Sequence, residues 1–487
     1  MNHVAKGIMK GSIWLLSLRM LMRGLGVIST LILVRLLTPE DFGLNAIAMS
    51  IFSLIDLFSR FGFDTVLIQK QDSDMDDYNT AWTLNIFLGL FSFVFIIILS
   101  PYAAIFYNNK NIKYILVATA FLFLINSFSN IGVVDFRKNL TFHKEFILQI
   151  IPKIISFFCT IALAITFKNY WALIIGSLVW KFSIVVVSYI MSSFRPRISF
   201  SKINDLFNFS KWLFFNNVIQ FLNTKSPELV IGKMINPSAV GLFSISTEIS
   251  NMASSELVSS VNRASYPGYS IVAKDPEQLK ELYRGVMGSI AIWVLPAGIG
   301  LASVSKIFVS CFFGDKWVGM EHVIVYLALA SMLFALNSNS GYVFLATGKP
   351  KITTFISLAR VLLFIPLFIV GVKYNGVVGA AQAALFSSLF VFITYSFVLC
   401  KYLSYSFVDF FNIFIKPLLG SLLMAFLLRW FISFELNISE YFLLSVLVIG
   451  GAGFYLIMEI CLWVIFGSND GPEKKVVDYF LSKIRIS

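Results

Sequence analysis

The chain of 487 residues is 58% hydrophobic and 16% aromatic but only 13% charged, whereas a soluble globular protein is roughly 25% charged. This balance excludes a soluble enzyme or a soluble binding domain and is typical of a protein that crosses a membrane many times. The formal net charge of +12 does not indicate a nucleic-acid partner, because most of the cations lie in alternate short loops, where they act as topology signals.

Apolar runs long enough to cross a bilayer recur along the whole chain. A spanning helix needs about 20 predominantly apolar residues, and about fourteen runs meet this requirement. The predicted spans lie at 12–34, 44–68, 80–106, 113–134, 146–167, 170–191, 210–234, 239–263, 285–309, 320–346, 352–372, 376–399, 409–432 and 441–466. The sequence therefore predicts an all-α polytopic membrane protein with about 14 transmembrane helices.

The distribution of lysine and arginine predicts the orientation of these spans. With the N-terminus inside, the cytoplasmic segments carry about 20 of these residues and the external segments about nine. The apolar run behind the basic N-terminal flank is longer than that of a signal peptide and has no convincing cleavage site. We therefore expect a multi-pass protein of the inner membrane with an uncleaved first span and both termini in the cytoplasm.

The turn between the first two predicted spans is repeated later in the chain. Residues 37–44, LTPEDFGL, are echoed by residues 235–242, INPSAVGL, and a fainter echo relates 168–172 to 373–377. Six spans separate the copies, so both halves have the same orientation, as in transporters that bind substrate between two parallel repeats. The alternative is that a proline and a glycine recur at a turn by chance.

The repeat predicts the domain organisation. Residues 1–199 form an N-lobe of six spans, residues 200–402 form a pseudo-symmetric C-lobe of six spans, and residues 403–467 add spans 13 and 14. Residues 468–487 form a basic cytoplasmic tail whose apolar residues fall at helical spacing. This tail is either an amphipathic helix on the inner leaflet or a disordered segment that only fixes topology.

Two arginines in the first span are the main functional signal. Arg19 and Arg23 are four residues apart and share one helical face, roughly 10 and 16 Å into the span. A charge near the centre of a spanning helix costs roughly 2.5–3.5 kcal/mol on insertion scales. The pair predicts a cationic central cavity, unless structural carboxylates neutralise both arginines.

Further intramembrane charges extend this hypothesis. The other cations of the candidate lumen are Arg60, Lys153, Lys181, Lys225 and Arg360. The carboxylates that either couple transport to an ion or form static ion pairs are Asp56, Glu228, Glu248 and Glu256; Glu228 follows Lys225 at a spacing that allows pairing. Such a lumen suits a large anionic solute moved against a proton or sodium gradient, and we expect no cofactor.

Signals for an enzyme are weak. The three histidines are scattered, the four cysteines form no C-x-x-C pair, and no H-E-x-x-H or phosphate-binding loop is present. Asp72-Ser73-Asp74 resembles the D-x-D of metal-dependent sugar transferases but is better explained as a solvated acidic loop. We therefore predict no catalytic residues and no metal site.

Several sequence motifs resemble a known family. They are RLLTPEDFGL at 35–44, DLFSRFGF at 56–63, NTAWTLN at 79–85, TGKPK at 347–351 and GVVGAA at 376–381. Together they resemble the polysaccharide flippases of the multidrug/oligosaccharidyl-lipid/polysaccharide (MOP) exporter superfamily, particularly its colanic-acid and lipopolysaccharide exporter-like branch.

The resemblance implies a transporter with two six-helix lobes and two extra C-terminal helices. Such a protein alternates between inward and outward openings and carries undecaprenyl pyrophosphate-linked oligosaccharide to the outer leaflet of the bacterial cytoplasmic membrane. The superfamily's lipid II flippases have functional arginines in span 1, where Arg19 and Arg23 lie. The expected partners are this lipid-linked substrate, membrane lipids and, as candidates, a polysaccharide polymerase and chain-length machinery.

Other functions stay open at this point. One alternative is a lipid II or multidrug exporter of the same superfamily. Another, from a different class, is a membrane-bound polysaccharide polymerase or glycosyltransferase, which would need a large external loop or an acid/base cluster near an interface.

Overall fold

The computed structural model describes residues 2–59, 63–70, 72–203, 211–434 and 438–465. Within these ranges the regular structure is helical and includes no strand. The chain divides into two compact units, Met1–Gly241 and Leu242–Ser487. The predicted tail at 468–487 lies outside the described residues.

The first unit contains ten α-helices. They are α1 (Asn2–Leu36), α2 (Pro39–Ser59), α3 (Phe63–Gln69), α4 (Met75–Phe106), α5 (Lys110–Ser127), α6 (Asp135–Lys138), α7 (Phe142–Phe167), α8 (Trp171–Met191), α9 (Lys211–Thr224) and α10 (Ser226–Met234), counted over the ranges described above. A short 3-10 helix at Ile131–Val134 precedes α6. Helix α1 packs on α7, and α4, α5, α7 and α8 pack as neighbouring pairs.

The second unit begins inside a long helix. Its helices are α11 (Pro237–Ile271, whose first turn belongs to the first unit), α12 (Pro276–Phe312), α13 (Met320–Ala346), α14 (Pro350–Tyr402), α15 (Phe407–Ile432) and α16 (Glu440–Ile465). A hydrogen-bonded polar network joins α11 to α13: Tyr269 donates to Asn339 at 2.8 Å, and Asn339 donates to Asn262 at 2.7 Å. Such bonds between buried polar groups hold helices together in a membrane.

Predicted spans 4 and 7 differ from the observed helices. Predicted span 4 is broken, because α5 ends at Ser127 and the chain bends by 69° into Ile131–Lys138. Predicted span 7 is divided at Lys225 into α9 and α10, because Pro227 lacks an amide hydrogen and its ring clashes with the carbonyl four residues earlier. Predicted spans 11 and 12 correspond to the two parts of α14, which are separated by a kink with non-helical backbone at Asn375 and Gly376.

Nine of the described helices are long and apolar enough to cross a membrane, or ten if the bent segment counts as one span. Helix α14 enters this number once although it contains two predicted spans. The number of about 14 spans therefore stays a prediction, whereas the described part of the chain is all-α, as expected.

The two copies of the repeated turn contact each other within the first unit. A Cβ added to Gly43 would lie 1.7 Å from the carbonyl oxygen of Pro237, and one added to Gly241 would lie 1.9 Å from the carbonyl oxygen of Pro39. The contact is reciprocal, so the two prolines and two glycines play matching roles. This symmetry favours a genuine structural repeat over a chance recurrence of two residue types.

Each turn is fixed by its own side-chain hydrogen bonds. Asp41 Oδ2 accepts from the Thr38 amide at 2.9 Å, and Asn236 Oδ1 accepts from the Ala239 amide at 2.9 Å. Asp41 Oδ1 also accepts from the amide of Tyr170 at 2.9 Å. The α7–α8 connection is therefore anchored to the turn, at the end of the first unit that we call the hairpin end.

Candidate functional site

The contacts between α1 and α7 show how deep Arg19 and Arg23 lie along the helix axes of the first unit. Phe142 packs where a Cβ on Gly11 would lie, and Trp14 contacts Phe146 edge to face with ring centroids 5.0 Å apart. The two helices therefore run in the same direction, and residues of α1 stand level with residues about 132 positions later in α7. Arg19 and Arg23, both partly buried, lie on either side of the level of Lys153.

Lys153 and Lys181 meet at one tryptophan. Lys153 Nζ lies 5.2 Å from the centroid of the Trp180 ring, and Lys181 Nζ lies 5.7 Å from it. Lys181 Nζ also donates to Asn126 Oδ1 on α5 at 3.0 Å. Two cations from α7 and α8 are thus held at one depth by an aromatic face and an amide oxygen.

A small residue permits this approach of α7 and α8. A Cβ on Gly176 would lie 2.0 Å from Thr160 Oγ1, and Ser156 Oγ donates to the carbonyl of Gly176 at 2.9 Å. Trp180 follows Gly176 by one turn of α8, while Lys153 precedes Ser156 by three residues in α7. The close crossing therefore places the Trp180 indole beside the Lys153 ammonium group.

Asp56 lies near the same level on α2. Phe52 stacks on Phe123 of α5 with ring centroids 4.1 Å apart, and Asp56 is one helical turn further along the same face of α2. Asn126 is three residues beyond Phe123, and both helices begin at the hairpin end. Asp56 is partly buried and makes interactions of its own.

These residues form a layer that we call the cationic layer: Arg19, Arg23, Lys153, Lys181 and Asp56. It carries four positive charges and one negative charge within helices of the first unit. Four of the seven predicted lumen cations are therefore brought to similar depth. Arg60, the neighbour of Asp56 in the predicted stripe, lies outside the described residues.

Lys225 and Glu228 form the ion pair that their spacing predicted. Lys225 Nζ lies 3.1 Å from Glu228 Oε2, and the Glu228 side chain is only 9% exposed. Ser50 on α2 also donates to Glu228 Oε2. Because the pair lies where α9 ends and α10 begins, it joins this break to α2.

The remaining predicted residues belong to the second unit. The guanidinium carbon of Arg360 lies 5.1 Å from the centroid of Phe334. Its Nε is buried without a hydrogen-bond acceptor in the part of the chain that the structure describes. Glu248 is partly buried in α11, whereas the side chain of Glu256 lies outside the described residues.

The acidic D-x-D segment has a structural role. Asp74 is the N-cap of α4, where it accepts from the Asp77 amide at 2.8 Å, and Asp77 accepts in return from the Asp74 amide at 3.0 Å. The hydrogen bond from the Asp77 amide holds the pKa of Asp74 below its usual value. Asp77 also pairs with Lys70 at 2.7 Å. This arrangement agrees with the interpretation as a loop rather than as a transferase metal site.

Sequence reasoning missed the role of the polar residues in the NTAWTLN motif. Asn79 Oδ1 accepts from the Arg197 amide at 2.8 Å, and Thr83 Oγ1 accepts from the Ser199 amide at 3.0 Å. The two residues are one turn apart on α4 and therefore hold an extended backbone along that helix. The signal that could have indicated this was the i, i+4 spacing of two polar residues in an apolar helix.

Residues 32–322, more than half of the chain, match the family model described as polysaccharide biosynthesis protein. The chain belongs to this family.

Two curated relatives align with nearly the whole chain. One is an uncharacterized membrane protein in the cps region of Klebsiella pneumoniae, 26% identical over 90% of this chain and 91% of the relative. The other is the lipopolysaccharide biosynthesis protein WzxC of Escherichia coli K12, 23% identical over 88% of this chain and 85% of the relative.

A solved structure has a similar fold. The lipid II flippase MurJ in an inward closed conformation aligns with a TM-score of 0.75 and 14% identity, covering 94% of this chain and 99% of the other. The likeness shows the fold alone, and it confirms the all-α polytopic architecture. The expected relationship to polysaccharide biosynthesis proteins is confirmed by the family model, and the chain is a multi-pass membrane protein.

Proposed function

We propose that the protein is a flippase for lipid-linked polysaccharide repeat units. It moves undecaprenyl pyrophosphate-linked oligosaccharide from the inner to the outer leaflet of the bacterial cytoplasmic membrane by alternating access. Both termini face the cytoplasm in this proposal. The protein performs no chemical conversion and needs no cofactor, and it hands its product to a polysaccharide polymerase and chain-length machinery.

The single observation that carries the proposal is the cationic layer. Four cations and one carboxylate lie at similar depth in the first unit, and each intramembrane charge costs roughly 2.5–3.5 kcal/mol on insertion scales. An excess of positive charge inside a membrane protein is kept where the ligand itself brings the negative charge. A pyrophosphate linked to sugars supplies that charge, and the family and the name of the WzxC relative agree with a polysaccharide substrate.

The driving force in this proposal is a proton or sodium gradient. Asp56 is the carboxylate of the cationic layer, and it lies on the face of α2 that packs on α5. Protonation or sodium binding at Asp56 would change the net charge of the layer by one unit. The layer would then attract the anionic substrate more strongly when Asp56 is neutralised.

The charge of the cationic layer also helps to distinguish the polysaccharide flippase from the alternative functions. A multidrug exporter for organic cations needs a site of acids and aromatic rings, whereas this layer would repel a cation. A lipid II flippase shares the pyrophosphate, so only its sugar and peptide distinguish it. The family, described as polysaccharide biosynthesis protein, favours the polysaccharide substrate over lipid II.

A complementation experiment tests the function. In a strain that lacks its own polysaccharide flippase, the wild-type protein should restore surface polysaccharide. Arg23→Ala should reach the membrane in equal amount but restore none. The matched control is Lys168→Gln, which removes an exposed cation at the hairpin end of α7 and should complement fully. Normal polymer from Arg23→Ala, or rescue of a lipid II flippase deletion instead, would contradict the proposal.

A further inference from the structure

Arg360 carries a charge near the middle of the first part of α14, in the second unit. The residue lies roughly 15 Å along the helix from Pro350, and this part of the helix ends at the kink of Asn375 and Gly376. Arg360 as a whole is only partly buried, whereas its Nε is buried. An ionisable side chain at such a depth is rare in membrane proteins and is kept for a partner or a function.

The described residues offer Arg360 no hydrogen-bond acceptor and no counter-charge. None of them accepts a hydrogen bond from the buried Nε, and none forms an ion pair with the guanidinium group. The guanidinium carbon lies 5.1 Å from the centroid of the Phe334 ring, and the Tyr395 side chain is close enough to interact with its charge. An aromatic face attracts a cation without neutralising it, and a phenol is uncharged at neutral pH. The missing partner of Arg360 is therefore an anion that accepts hydrogen bonds.

We propose that Arg360 is a binding site in the second unit for an oxyanion of the translocated molecule, either a phosphate or a carboxylate group. A guanidinium group is planar and presents its donors as a fork that matches two oxygens of such an anion. A neutral sugar hydroxyl would accept one hydrogen bond but leave the charge of Arg360 uncompensated. An organic cation would be repelled.

The depth of Arg360 indicates a transported anion rather than the headgroup of a lipid in the surrounding bilayer. The hydrocarbon core of a bilayer is about 30 Å thick, so a residue roughly 15 Å along its helix lies far from both layers of headgroups. An anion reaches that level only when the protein carries it across. The neighbouring Phe334 side chain is 44% exposed, so packed side chains do not close off the position beside the guanidinium group.

This site rests on the proposed flippase function and makes it more specific. The cationic layer belongs to the first unit, and Arg360 gives the second unit an anion site of its own. The source of the oxyanion is either the pyrophosphate of the lipid carrier or an acidic sugar of the repeat unit.

Fluorine NMR of the intact protein in lipid nanodiscs tests the site. Replacing Phe334 by 4-trifluoromethylphenylalanine gives a single fluorine signal beside Arg360. Inorganic pyrophosphate and glucuronate serve as soluble probes, and sodium chloride at equal ionic strength controls for screening of charges. Undecaprenyl pyrophosphate carrying either a neutral sugar or a glucuronate is then added. The matched control is Arg429→Gln, which removes an exposed arginine from the last turn of α15.

The expected result is a shift of the fluorine signal with pyrophosphate or glucuronate but not with sodium chloride. Arg360→Gln should weaken binding at least about tenfold, as expected for the loss of hydrogen bonds to a charged group. Arg360→Lys should bind less tightly than the wild type because lysine lacks the planar fork, and Arg429→Gln should bind like the wild type. A response to pyrophosphate and to both lipids assigns the site to the lipid carrier. A response to glucuronate and to the glucuronate lipid alone assigns it to an acidic sugar.

Thermal unfolding without ligand tests whether the charge of Arg360 is uncompensated. Arg360→Met keeps an apolar stem and removes the charge, so the unfolding temperature should rise. A lower unfolding temperature would show that Arg360 has a structural partner and would overturn the site.

The NMR result separates the site from the flippase function. A fluorine signal that no probe moves, or that moves equally in Arg360→Gln, would overturn the site even if the protein flips lipid-linked sugars. If a probe moves the signal only when Arg360 is present but no lipid-linked sugar is flipped, the site stands and the flippase proposal fails.

Discussion

Replacing Gly43 by alanine tests whether the two copies of the repeated turn are built to touch. The added Cβ would lie 1.7 Å from the carbonyl oxygen of Pro237, whereas ordinary contact begins near 3.4 Å, twice that distance. Both groups belong to the backbone, so neither can rotate away. The turns must separate, and the hydrogen bonds that fix them must adjust.

The expected loss of stability in Gly43→Ala follows from two opposing effects. Overpacking of a tightly packed site costs about 1–3 kcal/mol, and a backbone clash belongs at the upper end of that range. Alanine is favoured over glycine within a helix by about 1 kcal/mol, which offsets part of the loss. We therefore expect Gly43→Ala to lower the free energy of unfolding by about 2 kcal/mol.

Thermal unfolding of the purified protein in detergent measures this effect, and Gly26→Ala is the control. Gly26 lies in α1, and a Cβ there would have nothing within 4 Å. The control should keep or raise the unfolding temperature because only the helix propensity changes. Gly241→Ala should resemble Gly43→Ala. A Gly43→Ala protein as stable as Gly26→Ala would refute the reasoning about the reciprocal contact.

Two further predictions concern polar contacts of the first unit. Lys225→Met should destabilise the protein by about 1–3 kcal/mol, less than for a fully buried pair because the lysine is partly exposed. Adding Glu228→Gln should restore much of the loss in a double-mutant cycle, and additive losses would contradict the pairing. Asn79→Ala with Thr83→Ala should speed tryptic cleavage after Arg197, since each lost hydrogen bond contributes about 0.5–1.5 kcal/mol. Unchanged cleavage in limited proteolysis would contradict the role of these two hydrogen bonds.

The sequence predicted most of the helices because their signal is local. A run of about 20 apolar residues must form a helix in a bilayer, where every backbone polar group needs an internal partner. The predicted run at 320–346 coincides with α13. The break at Lys225 was missed because the apolar pattern continues through it, whereas Pro227 prevents a continuous helix.

The candidate site was only partly predictable. A charged residue inside an apolar run carries a large free-energy cost of membrane insertion, so Arg19, Lys153 and Lys181 could be identified from the sequence. The contact between Lys153 and Trp180 could not, because the two side chains belong to different helices. Helix rotation and crossing geometry decide which side chains meet, and neither is encoded in a single run of residues.

The most direct test of the central claim is the flipping rate of a labelled undecaprenyl pyrophosphate-linked oligosaccharide in vesicles that contain the purified protein. The wild type should flip the lipid, and Arg19→Gln with Arg23→Gln should lower the initial rate at least about tenfold. Lys168→Gln should flip at the wild-type rate. Equal rates for the double variant and the wild type would contradict a role for the cationic layer in moving the anionic substrate.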